Sequence, residues 1–137
     1  MDPSDPYARW YPRALAVLRI VAALLFVEHG TQKLLGFPPP ANPGAPLDLL
    51  HEVQGVLELV GGFLLLIGLF TRLVGFILSG DMAVAYFMVH APKSFFPILN
   101  GGDAAILYCF VFLFLAAVGG GAWSVDSLRR RAGPRAV

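Results

Sequence analysis

Four long apolar runs, separated by short stretches of glycine, proline and charged residues, dominate the amino-acid sequence. Each run is long enough to supply the roughly 20 residues that a helix needs to cross the hydrocarbon core of a bilayer. This pattern predicts an all-α integral membrane protein, built as one four-helix transmembrane bundle. The four helices are expected at about residues 13–35, 47–70, 73–90 and 102–120.

The composition supports this class of protein. Of the 137 residues, 57% are hydrophobic and only 14% are charged, whereas a soluble domain is about half apolar and about a quarter charged. The net charge of +1 and the scattered basic residues leave no patch that could follow a phosphate backbone, so nucleic acid is not an expected partner. Cys109 is the only cysteine in the sequence, which excludes an intrachain disulfide and a CxxC redox pair.

The polar residues around the apolar runs define three segments and an orientation. A polar N-terminal segment, 1–12, precedes the transmembrane domain, 13–121, and a basic interfacial tail, 122–137, follows it. Lys33 and Lys93 fall at one end of the predicted bundle. The opposite end carries Arg9, Arg13, Arg72, Arg129, Arg130, Arg131 and Arg135. Because basic residues accumulate on the cytoplasmic side of membrane proteins, both termini are predicted to be cytoplasmic.

The six residues EHGTQK, Glu28 to Lys33, stand out at the end of the first apolar run. An ionisable side chain at membrane depth costs roughly 2.5–3.5 kcal/mol, so it usually faces the bundle interior or a wet cavity. At the 3.6-residue period, Glu28 and His29 share one helical face with Gln32 and Lys33. This stretch therefore predicts a polar face that is directed towards the other helices.

Polar residues at the same depth on the other runs predict a single cluster in the outer half of the bundle. Glu58 belongs to a stripe of small and polar residues on the second helix, where glycines allow close packing. The stripe consists of His51, Gln54, Gly55, Glu58, Gly61 and Gly62. His90 ends the third helix, and Asp103 begins the fourth. The residues expected to converge are Glu28, His29, Lys33, Glu58, His90 and Asp103.

Glu58 and His29 are the candidate catalytic residues, and two roles stay open for them. Carboxylate and imidazole groups can exchange protons with a bound molecule. Alternatively, Glu58 is a structural clamp that pairs with Lys33, His29 or Arg19 on the first helix, and His29 bonds a neighbour at the water boundary. The candidate ligand-binding residues are Glu28, Lys33, His90, Asn100 and Asp103. No metal site is predicted, because no two histidines stand at metal-ligand spacing.

Two further charged residues, Arg19 and Asp81, interrupt the first and third apolar runs. They lie at similar depths from the arginine-rich ends of their helices, roughly 10 and 13 Å at about 1.5 Å per residue. They are expected to pair within the bundle, unless Asp81 instead marks a contact with another subunit.

Four stretches of the sequence form recognisable motifs: HGTQKLLGF (29–37), ELVGGFLLLIGLFTR (58–72), AYFMVHAPKSFFPILNGGD (85–103) and WSVDSL (123–128). Together they resemble the DoxX family of small membrane proteins, over about residues 13–128. Asp81 and Asp103 depart from the resemblance, which implies an apolar residue at the first position and glutamate at the second. The resemblance implies a four-helix bundle in the bacterial or archaeal plasma membrane.

The resemblance also implies redox work, because the family is associated with membrane subunits of thiosulfate:quinone oxidoreductase. We therefore expect a membrane subunit of a redox system that handles a quinone, or a similar lipophilic electron carrier, near the outer membrane face. The sequence contains no flavin, haem or iron–sulfur motif, so electrons are expected from a partner or directly from the substrate. The expected partners are lipid and other membrane or redox subunits, and a homo-oligomer stays open.

A non-catalytic accessory subunit that stabilises or assembles a larger membrane complex is the alternative function. Bound quinone would indicate the redox function, whereas co-purifying subunits without quinone would indicate the accessory function. A channel is disfavoured, because the ionisable residues do not form a continuous row through the membrane.

Overall fold

The computed structural model of the chain describes residues 6–40 and 48–132. Four parts of the predictions lie outside these ranges. They are the first residues of the N-terminal segment, most of the proline-rich connection after Phe37, the second helix at residue 47 and the end of the basic tail. Within them every regular element is helical and there is no strand. The prediction of an all-α protein is confirmed for this part of the chain.

The described residues form five helices that are longer than a single turn. They are α1 (Pro6–Leu35), α2 (Leu49–Ile67), α3 (Thr71–Lys93), α4 (Asp103–Val118) and α5 (Val125–Ala132). Two of these helices change pitch, because α2 is π-helical at Leu57–Gly61 and α3 is π-helical at Tyr86–His90. A single helical turn, Pro97–Asn100, lies in the connection between α3 and α4.

Helix α1 begins earlier than the predicted residue 13, at Pro6, and Pro12 lies inside it. A proline favours the first position of a helix because its missing N–H would have no partner there. Pro12 does not occupy this position. Pro12 is tolerated because its fixed φ suits a helix, and it removes only one hydrogen bond close to the helix start.

The turn between α2 and α3 lies at Gly68–Phe70, before residues 71 and 72, which the predicted helices left as their connection. Gly68 adopts a left-handed φ of 68°. Its N–H donates to the carbonyl of Leu65 (3.0 Å), and the N–H of Leu69 donates to the carbonyl of Leu64 (2.9 Å). This pair of bonds closes the last turn of α2 in the way that glycine allows.

One core joins the first four helices. Its buried members come from α1 (Leu15, Ala22, Ala23, Phe26), α2 (Leu65), α3 (Val74, Leu78, Met82) and α4 (Phe112, Leu115). Helix α1 packs along α2, and α3 packs along α4. Contacts between α2 and α3 and between α1 and α4 complete the group.

Glycines allow the close approaches between these helices. A methyl group added at Gly30 of α1 would lie 2.6 Å from the backbone nitrogen of Leu59 on α2. The predicted packing role of the α2 glycines is confirmed: added methyl groups there would meet Leu34 at Gly55, Leu78 at Gly61 and Val27 at Gly62.

Three helical segments are long and apolar enough to cross a membrane: Tyr7–Leu35, Leu49–Ile67 and Thr71–Lys93. Helix α4 is apolar but has only 16 residues, which corresponds to about 24 Å at about 1.5 Å per residue. A bilayer core is about 30 Å thick, so α4 is shorter than a full crossing. The fourth membrane crossing stays a prediction.

The predicted pair between Arg19 and Asp81 is wrong. Arg19 is fully buried and donates to four backbone carbonyls. These are the carbonyls of Gly120 (2.9 Å), Trp123 (2.9 Å), Leu66 (2.6 Å) and Leu65. Two of these carbonyls lie in the last turn of α2 and two in the loop after α4, and the guanidinium group can donate up to five hydrogen bonds. Arg19 therefore ties α1 to the end of α2 and to the glycine loop after α4.

Candidate functional site

A cavity of about 230 Å³ lies at the end of the bundle opposite the arginines, and we call it the outer cavity. It is lined by Phe26, His29 and Lys33 from α1, Glu58 from α2, Met82, Ala85 and His90 from α3, Gly101, and Ala104, Ala105 and Tyr108 from α4. All four long helices contribute to its wall. Four of the six residues that the sequence predicted to converge, namely His29, Lys33, Glu58 and His90, line this one space.

An ion pair between α1 and α2 forms one side of the outer cavity. Lys33 Nζ donates to Glu58 Oε1 over 2.6 Å, and the side chain of Glu58 is only 3% exposed. The other oxygen, Oε2, is buried and has no hydrogen-bond partner among the described residues. Buried polar atoms are nearly always hydrogen-bonded, so Oε2 is a position where a ligand, a water molecule or a proton would be stabilised.

Asp81 is a second buried acid near this pair. It lies close enough to Glu58 and Lys33 to interact with both electrostatically. Its Oδ2 atom also has no partner among the described residues. Helix α3 contacts both α2 and α4 and therefore buries two faces. Asp81 is buried within the chain beside Glu58 and Lys33, although it does not line the outer cavity itself.

The two histidines make equivalent hydrogen bonds. His29 Nδ1 lies 2.8 Å from the carbonyl oxygen of Leu25, and His90 Nδ1 lies 3.1 Å from that of Asn100. A carbonyl oxygen can only accept, so Nδ1 carries the hydrogen in both rings. Nε2 is then the atom of each neutral ring that can accept a proton.

Two aromatic rings, those of Phe26 and Tyr108, also line the outer cavity, and Tyr86 lies behind His90. The ring of Tyr108 lies 5.5 Å from that of Phe26 and 6.0 Å from that of His29, centroid to centroid. Tyr86 stacks on His90 at 6.5 Å. Sequence analysis missed Tyr108, although an aromatic ring with a hydroxyl in the otherwise apolar α4, one turn after Ala104, is a signal that could have found it.

Three candidate ligand-binding residues do not line the outer cavity. Glu28 and Asp103 have exposed side chains, so the predicted cluster is smaller than expected. Asn100 is buried but organises the α3–α4 connection: its side chain donates to the carbonyl of Ser94 (2.9 Å) and accepts from the N–H of Gly102 (2.7 Å). The backbone carbonyl oxygen of Asn100 also accepts the hydrogen bond from Nδ1 of His90.

Both π-helical segments carry residues of the outer cavity. Glu58 lies in Leu57–Gly61, and His90 ends Tyr86–His90. Such wide turns are rare and occur frequently at functional sites. They could not be predicted here, because a local change of pitch leaves the hydrophobic period on either side unchanged.

Comparisons with known proteins identify the family. A family model for DoxX matches residues 14–91, more than half of the chain, including every cavity residue from α1, α2 and α3. The chain belongs to the DoxX family. With its three long apolar helices, this DoxX protein is a membrane protein.

Two relatives from Haemophilus influenzae align along most of the chain, and both bear the description "uncharacterized protein". One is 47% identical over 124 residues, which cover 87% of this chain and 92% of the relative. The other is 30% identical over 131 residues, which cover 88% of this chain and 86% of the relative. No solved structure matches the chain.

Proposed function

We propose that this DoxX protein is a membrane subunit of a redox system and handles a quinone, or a similar lipophilic electron carrier, in the outer cavity. In this proposal the chain crosses the bacterial or archaeal plasma membrane four times, with both termini in the cytoplasm. The observation that carries the proposal is Glu58: a buried carboxylate with one oxygen on Lys33 and the other without a partner, in a cavity with aromatic walls.

The outer cavity suits the headgroup of such a carrier. Ligand pockets are about 300–1,000 Å³ in volume, so a cavity of about 230 Å³ holds a single ring rather than a whole lipophilic molecule. Phe26 and Tyr108 provide flat apolar surfaces, and Lys33 and Tyr108 provide hydrogen-bond donors for ring oxygens. A quinone, when bound, supplies a centre that takes up two electrons together with two protons.

The residues of the chain provide a route for those protons. Lys33 cannot neutralise both Glu58 and Asp81, so this group can hold an additional proton at the unpartnered Oε2 or Oδ2 atom. His29 is exposed, and its Nε2 atom can exchange a proton with water. Glu58 and His29 therefore act as the proton-exchanging residues in this proposal, while Lys33 orients Glu58. Electrons come from a partner subunit or directly from the substrate.

The packing around the ion pair favours a second candidate function, that of an accessory subunit. Lys33 and Glu58 join α1 to α2 where the helices are in close contact, with Gly30 against Leu59 and Gly55 against Leu34. A clamp at this position would stabilise the bundle that other membrane or redox subunits, or a second copy of the chain, assemble on.

The substitution Glu58→Gln separates these functions, because it keeps the shape of the side chain but removes the proton-accepting carboxylate. A catalytic acid or base contributes about 10²–10⁴-fold in rate. We expect quinone reduction, measured in membranes that contain the protein and its partners, to fall by at least about a hundredfold. Glu52→Gln removes an exposed acid from the same helix and should leave the rate unchanged.

Assembly and stability are measured on the same variants. A lower melting temperature or lost subunits, with unchanged activity per assembled complex, would favour the accessory function over the redox function. If Glu58→Gln leaves both assembly and activity intact, Glu58 and the outer cavity are needed neither for quinone reduction nor for assembly.

A further inference from the structure

A second cavity lies at the arginine-rich end of the bundle, between the start of α1 and helix α5. Its volume is about 580 Å³. Arg9 and Arg13 reach it from α1, Arg131 reaches it from α5, and Trp123 forms part of its rim. No acidic side chain of the residues 6–40 and 48–132 lines this space, which we call the basic cavity.

The nearest acid of helix α5 is engaged elsewhere. Val125 and Ser127 line the basic cavity, but Asp126 between them accepts hydrogen bonds from the N–H groups of Phe70 and Thr71. Its charge is therefore directed towards the start of α3. Within residues 6–40 and 48–132, no acidic side chain faces the arginines of the basic cavity, so they can bind an anion.

An apolar groove continues from the basic cavity along the surface of α1. Its volume is about 610 Å³. The groove is lined by Trp10, Arg13, Ala14, Val17, Leu18, Val21 and Trp123. Arg13 and Trp123 line both spaces, so the basic cavity and the apolar groove meet at these residues. Arg13 also lies over the ring of Trp10, with its guanidinium carbon 5.6 Å from the ring centroid.

We propose that the basic cavity and the apolar groove together bind one anionic phospholipid. The phosphate lies among Arg9, Arg13 and Arg131, and an acyl chain lies along α1 over Val17 and Val21. Arginine binds phosphate through paired hydrogen bonds, and basic pockets beside membrane helices bind anionic headgroups. Trp10 and Trp123 are interfacial residues by type, which places the junction at headgroup level.

The two-part shape identifies a lipid rather than a soluble phosphate compound. A soluble phosphate would use the basic cavity alone. The side chains of Val17, Leu18 and Val21 are exposed in the groove, where a hydrocarbon chain would cover them. This site lies at the opposite end of the bundle from the outer cavity and does not depend on the proposed redox function.

Native mass spectrometry of the full-length protein in detergent tests the proposal, with phosphatidylglycerol and phosphatidylcholine of matched acyl chains as probes. Wild-type protein should retain phosphatidylglycerol in preference to phosphatidylcholine. In the combined variant Arg9→Gln, Arg13→Gln, Arg131→Gln, the apparent affinity for phosphatidylglycerol should fall about a hundredfold, since each arginine near an anionic lipid contributes roughly fivefold.

A matched control removes the same charge from the same end of the bundle. Arg72, Arg129 and Arg130 line a different surface depression, and their combined replacement by Gln should leave most of the affinity. Ala14→Trp adds bulk to the apolar groove without changing charge and should weaken phosphatidylglycerol binding by about tenfold or more. This variant also tests the site if the triple arginine variant does not fold.

Three results would overturn the proposal. One is equal loss of affinity in the two triple variants, which would show unspecific attraction to a charged surface. Another is equal retention of phosphatidylcholine and phosphatidylglycerol by the wild-type protein. The third is unchanged lipid binding by Ala14→Trp together with displacement of the lipid by inorganic phosphate, which would assign the basic cavity to a soluble anion.

Discussion

The side chain of Asp126, in α5, fixes the position of α5 against the start of α3. Its two carboxylate oxygens accept hydrogen bonds from the N–H groups of Phe70 (2.9 Å) and Thr71 (2.8 Å), which begin α3. Its own N–H donates to the carbonyl of Gly68 (3.0 Å). Burial by itself raises the pKa of Asp126, but the hydrogen bonds from Thr71 and Phe70 outweigh it, so the pKa is lowered below its ordinary value.

Replacing Asp126 by Asn should destabilise the protein near neutral pH and have a smaller effect in acid. An amide can keep only one of the two accepted hydrogen bonds, and losing a helix cap costs about 0.5–2 kcal/mol. A lowered pKa means that the carboxylate stabilises the fold above its ordinary pKa of about 3.9. That stabilisation is lost as the pH falls through the lowered pKa. Thermal unfolding in detergent between neutral and acid pH measures the difference from wild type.

Asp103→Asn is the control for this prediction. Asp103 begins α4, but its side chain is exposed and makes no hydrogen bond within the described part of the chain. Its replacement should change the melting temperature less than Asp126→Asn does at neutral pH. A difference between Asp126→Asn and wild type that grows as the pH falls would contradict the role given to Asp126.

At the scale of the helices, Gly30 sets the distance between α1 and α2. Gly30→Ala should lower the free energy of unfolding by about 1–3 kcal/mol, because overpacking at a close contact forces the backbone to move. The added methyl group would meet the backbone of Leu59 at 2.6 and 2.8 Å, and backbone atoms cannot rotate away. Gly30 lies one turn before Lys33, so the Lys33–Glu58 pair should loosen as well. Denaturant titration in mixed micelles measures the change.

Gly80→Ala is the matched control on α3. A methyl group added at Gly80 would have no atom within 4 Å, and alanine favours a helix over glycine by about 0.5–1 kcal/mol. This variant should be as stable as wild type or slightly more stable. Equal stability of Gly30→Ala and Gly80→Ala would show that the contact between α1 and α2 can relax without cost.

Hydrophobic periodicity predicted the helices well because it reports which faces are apolar. It identified the long runs that became α1 to α4, and it identified the α2 face on which Gly55, Gly61 and Gly62 pack. It could not locate helix ends that depend on distant residues. The start of α3 depends on Asp126, and the carbonyls at the end of α2 depend on Arg19. These contacts join residues that are far apart in sequence.

At the scale of the whole molecule, the outer cavity was predictable in part. His29, Lys33, Glu58 and His90 were expected at a common depth from their positions along the helices, and they do line one cavity at one end of the bundle. Depth does not specify the rotation of a helix about its axis. For that reason Glu28 and Asp103 were included although both are exposed. Asp81 interacts with Glu58 and Lys33 rather than with Arg19, because Arg19 binds backbone carbonyls at the arginine-rich end of the bundle.

The two ends of the described chain lie at the same end of the bundle. The N–H of Ala122, which follows α4, donates to the carbonyl of Pro12 in α1 over 2.8 Å. Asp126 of α5 bonds the start of α3 at that end as well. Helix α4 therefore brings the chain back to the end of the bundle at which it began, and we predict that it crosses the membrane although its 16 residues are fewer than a full crossing needs. Local thinning of the bilayer or the adjoining polar segments can accommodate such a difference.

This arrangement and the arginine distribution together predict that Lys93 is outside the cell and Ala132 is in the cytoplasm. Single cysteines at these positions, in a Cys109→Ser background, can be labelled with a membrane-impermeant maleimide. Both residues are exposed, so each cysteine should react once the reagent reaches it. In intact cells the cysteine at position 93 should react and the one at 132 should not, whereas both should react after the membrane is opened. Labelling at position 132 alone would show that the orientation is the reverse of the predicted one. Labelling at both positions in intact cells would mean that α4 does not return the chain across the membrane.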